Sequence, residues 1–248
     1  MNTITSSSNP AFKALLAMKK DRSVMLLEGR RLVQDAFDRG MTPKAAAVTP
    51  GYEDAHGPVD VPHLILEDRL FARIAETKTP QGILAFFPLP WAPFEKIIEH
   101  EKIIILNGLQ DPGNVGTIIR TAEAFGFTAV LVTEGTASPF SAKAVRASMG
   151  SSLGLDIARI REEDAKRLPH RIISLAPHGS LNLDRKAFSG RTAICFGQEG
   201  AGVSETMLSL SHETVSIPME GKVESLNVSI AAGIVMAYVS GVFDNPHK

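Results

Sequence analysis

At 248 residues, 44% hydrophobic and 21% charged, the chain is long enough for one large domain or two modest ones, and its composition excludes wholesale disorder. A formal net charge of -1 removes the crude charge argument for a nucleic-acid binder but leaves room for a local basic face, and the lone Cys195 excludes an internal disulfide and fits a reducing compartment. No apolar run reaches membrane-spanning length and the opening residues do not read as a signal peptide, so a cytoplasmic protein with no membrane partner is expected.

Asn9-Pro10 predicts a helix start, with Asn9 as N-cap and Pro10 in the first turn; Phe12, Leu15, Leu16 and Met18 supply its apolar side. Val24 to Leu27 reads as a strand, Glu28 to Arg39 as a helix closed by Gly40, and Ala45 to Val48 as a second strand. The polar, Gly- and Pro-bearing stretch from Thr49 to Asp60 reads as a loop. Val61 to Leu66 is a third strand, Leu70 to Ala75 a helix, and Ile83 to Phe87 another strand, which together predict a small α/β sandwich. Lys13, Lys19, Lys20, Arg22, Arg30 and Arg31 give this segment a local excess of cations. On residue type alone that excess fits a phosphate-gripping face or an ordinary solvated helix face. Pro88, Pro90 and Pro93 mark a linker and set the expected domains at 1–90 and 91–248.

The second half opens with Ile103 to Leu106, an apolar β-branched run that predicts a buried strand. Asn107-Gly108 and Asp111-Pro112-Gly113 end it in turns, and Asn114 is the expected N-cap of a helix carrying Ile118, Ile119, Ala122 and Phe125 before Gly126. A polar loop at a strand's carboxyl end is where open α/β sheets place ligands. Asn114 and Arg120 are expected to share one side of that helix, an amide and a fixed cation suited to a phosphate- or ribose-bearing substrate. Strands follow at 129–132, 172–175, 193–196 and 215–217, with a helix near 141–147 and a long final helix from Leu226 to Val242.

Two further stretches could carry chemistry. In Ala193 to Gly202 a buried strand runs into a loop with Gly197, Gly200 and Gly202, whose missing side chains allow backbone to approach a ligand. The order is neither GxGxxG nor a P-loop, Glu199 is the one carboxylate there, and mid-strand Cys195 reads as core rather than nucleophile. In Val215 to Asn227 a strand is stopped by Pro218, and a polar loop delivers Ser225 and Asn227 to a helix start, a pattern that ordinary capping also explains. The histidines show no paired ligand spacing, so no metal site is expected.

Taken together, Asn107…Asp111-Pro-Gly-Asn114-Val-Gly-Thr-Ile-Ile-Arg120, then Phe196-Gly-Gln-Glu199-Gly-Ala-Gly202, then Ile217-Pro-Met-Glu-Gly…Ser225-Leu-Asn227 resemble the three motifs of the SpoU (TrmH-type) RNA ribose methyltransferases. Asn9-Pro, Leu27-Glu-Gly-Arg-Arg-Leu-Val33 and Thr79-Pro-Gln-Gly82 resemble that family's N-terminal RNA-substrate-binding domain. The resemblance implies an α/β SPOUT domain with a parallel sheet and a deep trefoil knot, S-adenosylmethionine as methyl donor, a ribose 2′-hydroxyl of structured RNA as acceptor, and a homodimer. It implies that Gly197, Ile217, Met219 and Leu226 hold the cofactor, and that Asn114, Glu199, Ser225 and Asn227 hold the substrate and position a central Arg120. Whether Arg120 is a perturbed base or a clamp on the phosphate beside the ribose stays open, since arginine is effectively always protonated. Lys13, Lys19, Lys20, Arg22, Arg30 and Arg31 become the expected RNA phosphate contacts. An N-terminal domain, and an end at Asn245-Pro-His-Lys just past the last helix, resemble the ribosomal-RNA members, so large-subunit rRNA is expected over tRNA. The alternatives are a tRNA ribose methyltransferase, an idle RNA-binding or ribosome-assembly protein of the same fold, and a base methyltransferase on a related knotted fold.

Overall fold

The computed structural model describes residues 2–57, 59–177, 179–221 and 225–244. Lys222, Val223 and Glu224 of the third motif and the terminal Asn245-Pro-His-Lys lie outside the described residues. The chain forms two compact units, Met1–Leu89 with Phe140–Ala142, and Pro90–Pro139 with Lys143–Lys248.

The first unit runs α1 (Pro10–Met18), β1 (Val24–Glu28), α2 (Arg30–Asp38), β2 (Ala45–Val48), α3 (Pro50–His56), β3 (Leu64–Ile65), α4 (Asp68–Ile74) and β4 (Ile83–Pro88). Asn9 caps α1 as its sequence predicts, its Oδ1 accepting from the Ala11 amide at 2.8 Å. Its sheet has the order β1-β4-β2-β3, with β4 antiparallel to both β1 and β2. Ile83 to Phe87 of β4 are all buried because helices cover both faces of the strand. Leu84 and Phe86 pack with Phe12 and Leu15 of α1 and with Leu70, Phe71 and Ile74 of α4. Phe87, turned to the other face by the pleat, meets Phe37 of α2 at 5.8 Å between ring centroids.

This unit departs from the sequence expectations in three places. The stretch from Thr49 to Asp60 is not all loop, because it contains α3. Thr49 is its N-cap, accepting from the Tyr52 amide at 3.2 Å, and Pro50 opens its first turn. The helix expected from Glu28 starts at Arg30: Gly29 has φ 93, and Glu28 ends β1, its carboxylate accepting from the Glu76 amide at 2.8 Å. Of the strand expected over Val61 to Leu66, only Leu64–Ile65 pairs with β2.

The second unit runs α5 (Phe94–Ile97), β5 (Lys102–Asn107), α6 (Pro112–Ala124), β6 (Ala129–Thr133), α7 (Ala142–Ser148), β7 (Asp156–Ile160), β8 (Arg171–Leu175), β9 (Leu181–Asn182), β10 (Thr192–Gly197), α8 (Glu205–Leu210), β11 (Glu213–Ser216) and α9 (Val228–Ser240). Its seven-stranded sheet has the order β7-β6-β5-β10-β8-β11-β9 and every pairing is parallel. The chain winds outward through β5, β6 and β7, then crosses to the other side, so the order reverses at the β5–β10 junction, where open sheets form a crevice at their strand ends. β7 and β9 were not expected from the sequence. Asp111, not Asn114, caps α6: its carboxylate accepts from the Gly113 amide at 3.2 Å and Pro112 takes the first turn, where its missing N–H costs nothing. The last helix is shorter than Leu226 to Val242, running from its cap Asn227 to Gly241 at φ 67. Among the described residues, no helix is long and apolar enough to cross a membrane and no cluster of three or more His, Cys, Asp or Glu could hold a metal.

Candidate active site

The second unit's site starts from two neighbouring strand ends. Asn107, last in β5, is paired in register with Gly197, last in β10. After Gly197 the chain turns back on itself, with the Gln198 and Gly202 backbones exchanging N–H···O bonds of 2.9 and 2.8 Å. A β-carbon on Gly197 would fall within 3.0 Å of the Gly202 carbonyl carbon and the Val203 nitrogen, so only glycine fits beneath this fold-back.

Asn107 fixes the far end of the loop. The Asn107 side chain is 2% exposed and satisfied in every direction. Its Oδ1 accepts from the Ser204 amide at 2.7 Å, and its Nδ2 donates to Glu162 Oε1 at 2.5 Å and Thr133 Oγ1 at 3.1 Å. Ser204 Oγ donates to Glu162 Oε2 at 2.8 Å and accepts from the Met207 amide at 3.2 Å, so the residue that caps α8 is also tied to β5. From the sequence Asn107 is a turn residue and the first residue of the first motif, with no tie to Ser204 expected, and Glu162 has no role. An asparagine ending a four-residue apolar strand was a usable signal; Glu162, far along the chain, offered none.

Beyond the carboxyl ends of β8, β10 and β11 lies a cavity of about 210 Å³ lined by Leu175, Pro177, Gly197, Glu199, Ile217 and Leu226 among others. Met219 and Ser225 line it as well. All four residues expected to hold a cofactor, Gly197, Ile217, Met219 and Leu226, therefore face one cavity. Apolar side chains, bare glycine backbone and a few polar groups form a lining that fits a nucleoside-bearing ligand.

Three of the expected substrate residues are joined by hydrogen bonds. Asn114 Nδ2 donates to Glu199 Oε1, and Asn227 Nδ2 donates to Asn114 Oδ1 at 3.4 Å. Asn227 Oδ1 is itself held, accepting from the Ser229 amide at 2.9 Å and the Ser229 hydroxyl at 2.6 Å. The glycine loop, α6 and the start of α9 thus meet at Asn114. Lys143 pairs with Asp111 at 2.5 Å and holds that capping carboxyl below its usual range, so α6 keeps an ionised cap at neutral pH.

Arg120 does not share Asn114's side of α6. Both residues lie inside the helix, and six positions at 3.6 residues per turn set them about 120° apart around its axis. Arg120 is exposed and, among the described residues, its guanidinium makes no hydrogen bond or ion pair. Cys195 is fully buried and burial pushes its thiol up to about 12, which fits core and not chemistry. In the first unit the expected phosphate contacts do not form one patch. Lys13, Lys19 and Lys20 belong to α1 and its end, on one face of the sheet, whereas Arg30 and Arg31 open α2 on the other; Arg22 precedes β1. Lys19 Nζ is occupied by the Ala75 carbonyl at 3.3 Å, just past the end of α4.

Residues 101–237 match the model of the SpoU rRNA Methylase family, and residues 9–85 match the MRM3-like substrate binding domain. A curated relative from Bacillus subtilis, the 23S rRNA (guanosine(2553)-2′-O)-methyltransferase RlmP, is 31% identical over 97% of this chain and 100% of its own length. An AdoMet-bound rRNA methyltransferase from Sinorhizobium meliloti superposes with a TM-score of 0.82 at 30% identity, covering 96% of this chain and 97% of that one. A TrmH-family putative RNA methyltransferase from Porphyromonas gingivalis gives 0.79 at 28% identity, with 94% and 98% covered.

Proposed function

Because this chain belongs to the SpoU rRNA methylase family, we propose that it methylates a ribose 2′-hydroxyl in RNA, with S-adenosylmethionine as donor. The observation that carries this reading is the continuity of the glycine-loop cavity, through Glu199, with the Asn114–Asn227 hydrogen-bonded chain. Gly197, Ile217, Met219 and Leu226 would hold the cofactor in that cavity. When bound, S-adenosylmethionine supplies an electrophilic methyl group on sulfur. The protein's task is then to place a ribose hydroxyl in line with it and to keep water from competing.

Asn114, Glu199 and Asn227 form the positioning set, each side chain held by the next, with Ser225 at the cavity wall. We assign Arg120 the clamp role. Its guanidinium is exposed, and the planar fork suits the phosphate beside the target ribose. A 2′-hydroxyl acceptor makes the enzyme selective for RNA over DNA. The first unit, about residues 1–90, is read as the substrate-binding part and residues 91–248 as the catalytic part, with rRNA of the large subunit favoured over tRNA and the cytoplasm as site of action. Support for a homodimer comes from α9, where Ile230, Ile234 and Tyr238 are 57%, 40% and 37% exposed at helical spacing. The family's trefoil knot is supported by the sheet order, with β10 between β5 and β8, and by the packing of α9 on α6.

Arg120 provides the test. Arg120→Ala should lower methyl transfer to unmodified RNA by at least about a hundredfold, roughly 2.7 kcal/mol, with cofactor affinity kept. Arg120→Lys should restore only a small part, because lysine keeps the charge and loses the fork. Near wild-type turnover in both variants would remove Arg120 from the mechanism.

A further inference from the structure

We propose that the first unit carries a pocket for one unstacked nucleotide of the RNA, preferentially a guanosine, held between α2 and α3. The inference rests on the RNA-substrate reading above and adds to it a defined contact. A cavity of about 390 Å³ opens between these helices, lined by Arg30, Phe37, Tyr52, His56, Asp60 and Val61 among others. Its size is that of a small-ligand site and far below what a duplex needs. A base inside an A-form helix cannot enter it, so the occupant comes from a loop or bulge, where bases are free to splay outward.

Three features of the lining select a nucleotide. The first is a prebuilt aromatic stack: the Tyr52 and His56 rings lie 4.6 Å apart at 23°. The His56 ring is restrained, its Nδ1 lying 3.2 Å from the Tyr52 carbonyl oxygen, to which it donates, and the Tyr52 backbone is fixed through its amide by the Thr49 cap. Tyr52 also packs on Gly82, where an added β-carbon would come within 2.9 Å of the Tyr52 β-carbon. A flat, ordered π-surface beside a void is what a base stacks on, at little entropic cost to the protein. The second feature is Arg30, exposed on the same cavity, whose guanidinium makes no hydrogen bond or ion pair among the described residues and is free for a phosphate. The third is Asp60, the one carboxylate in the lining and likewise without a partner among the described residues. A carboxylate only accepts, and guanine alone presents two adjacent donors, N1–H and the 2-amino group, on its Watson–Crick edge. Adenine and cytosine each place a ring acceptor beside the amino group, which an ionised carboxylate repels.

Tyr52 and Tyr238 are the chain's only tyrosines, so protein labelled with 3-fluorotyrosine gives two fluorine signals that Tyr52→Leu assigns. Titration with single-stranded uridine heptamers carrying a central G should move the Tyr52 signal, and a central A should do so with at least about fivefold weaker affinity. Asp60→Asn should erase that preference. Tyr52→Leu and His56→Ala should each weaken binding of unmodified rRNA roughly tenfold and raise its KM, with kcat and cofactor affinity unchanged. The salt dependence of binding should be unchanged in both, because no phosphate contact is lost, whereas Arg30→Gln should reduce its slope by about one. A Tyr52 signal that stays still while fluorescence anisotropy reports bound RNA overturns the pocket and leaves the methyltransferase reading standing. A Tyr52 signal that moves with RNA in a protein that methylates none overturns the methyltransferase reading and leaves the pocket standing. Absence of any RNA binding overturns both.

Discussion

Gly197→Ala places one methyl group where the structure has no room for it. Its β-carbon would lie within 3.0 Å of three backbone atoms of Gly202 and Val203, none of which can rotate away as a side chain end would. The fold-back must retreat, and in doing so it strains or breaks the two Gln198–Gly202 backbone bonds of 2.9 and 2.8 Å. Overpacking costs about 1–3 kcal/mol and each of the two hydrogen bonds about 0.5–1.5 kcal/mol, so the local cost is roughly 2–6 kcal/mol. The loop can relieve much of this by moving into the cavity it lines, and the cost then emerges as lost ligand affinity. S-adenosylmethionine binding, measured by calorimetry, should weaken by at least about tenfold, with circular dichroism and the thermal midpoint only modestly altered. Gly200→Ala is the matched control, because a β-carbon there meets nothing within 4 Å. It should leave the thermal midpoint unchanged. Wild-type cofactor affinity in Gly197→Ala would show that crowding at this loop has no bearing on the cofactor site.

Other parts of the molecule give further expectations. Asn107→Ala leaves the Ser204 amide and a Glu162 oxygen without their partner; it should destabilise the protein by about 2–4 kcal/mol in urea unfolding, and a loss under 0.5 kcal/mol would show the network to be idle. His170 is 3% exposed, and its Nε2–H donates to the His100 carbonyl at 2.7 Å, leaving Nδ1 without a partner among the described residues. Burial lowers its pKa, so the neutral ring is favoured in the fold. The stabilisation is complete above the unfolded value near 6.5 and is lost as pH falls toward the folded value. Urea unfolding from pH 7.5 to 5 should show that loss, and His170→Phe should flatten it. Cys195, buried with its thiol pushed up to about 12, should resist a thiol reagent at pH 8 in the native protein and react on unfolding; fast native labelling would contradict its placement.

What the sequence made legible was mostly local. Asn9-Pro10 and the Ile103 to Leu106 run carry their own conformational signal, and both elements form where expected. The three motifs were readable because each is a strand end followed by a short polar loop. Two strong capping signals were misjudged. Thr49-Pro50 was absorbed into a loop because Gly51 and Gly57 read as breakers, and Asp111 lost to Asn114 although Pro112 already marked the first turn. Residues that work across long separations were not legible. Glu162 meets Asn107 from 55 positions away, and no local pattern distinguishes it from Glu163. The six-residue spacing of Asn114 and Arg120 looked like two turns, but 3.6 residues per turn put them on different flanks. The cations of α1 and α2 read as one basic stretch because they are near in sequence, while β1 between them carries the chain from one layer to the other.

The chemical identity of the methylated product is the most direct test. Purified protein should be incubated with methyl-labelled S-adenosylmethionine and, side by side, unmodified large-subunit rRNA and unmodified tRNA. Each RNA is then digested to nucleosides and analysed by mass spectrometry. One labelled 2′-O-methylnucleoside is expected from the rRNA, little from the tRNA, and at least about a hundredfold less with Arg120→Ala. Label on a base, or no label in either RNA while the cofactor is bound, would contradict this expectation.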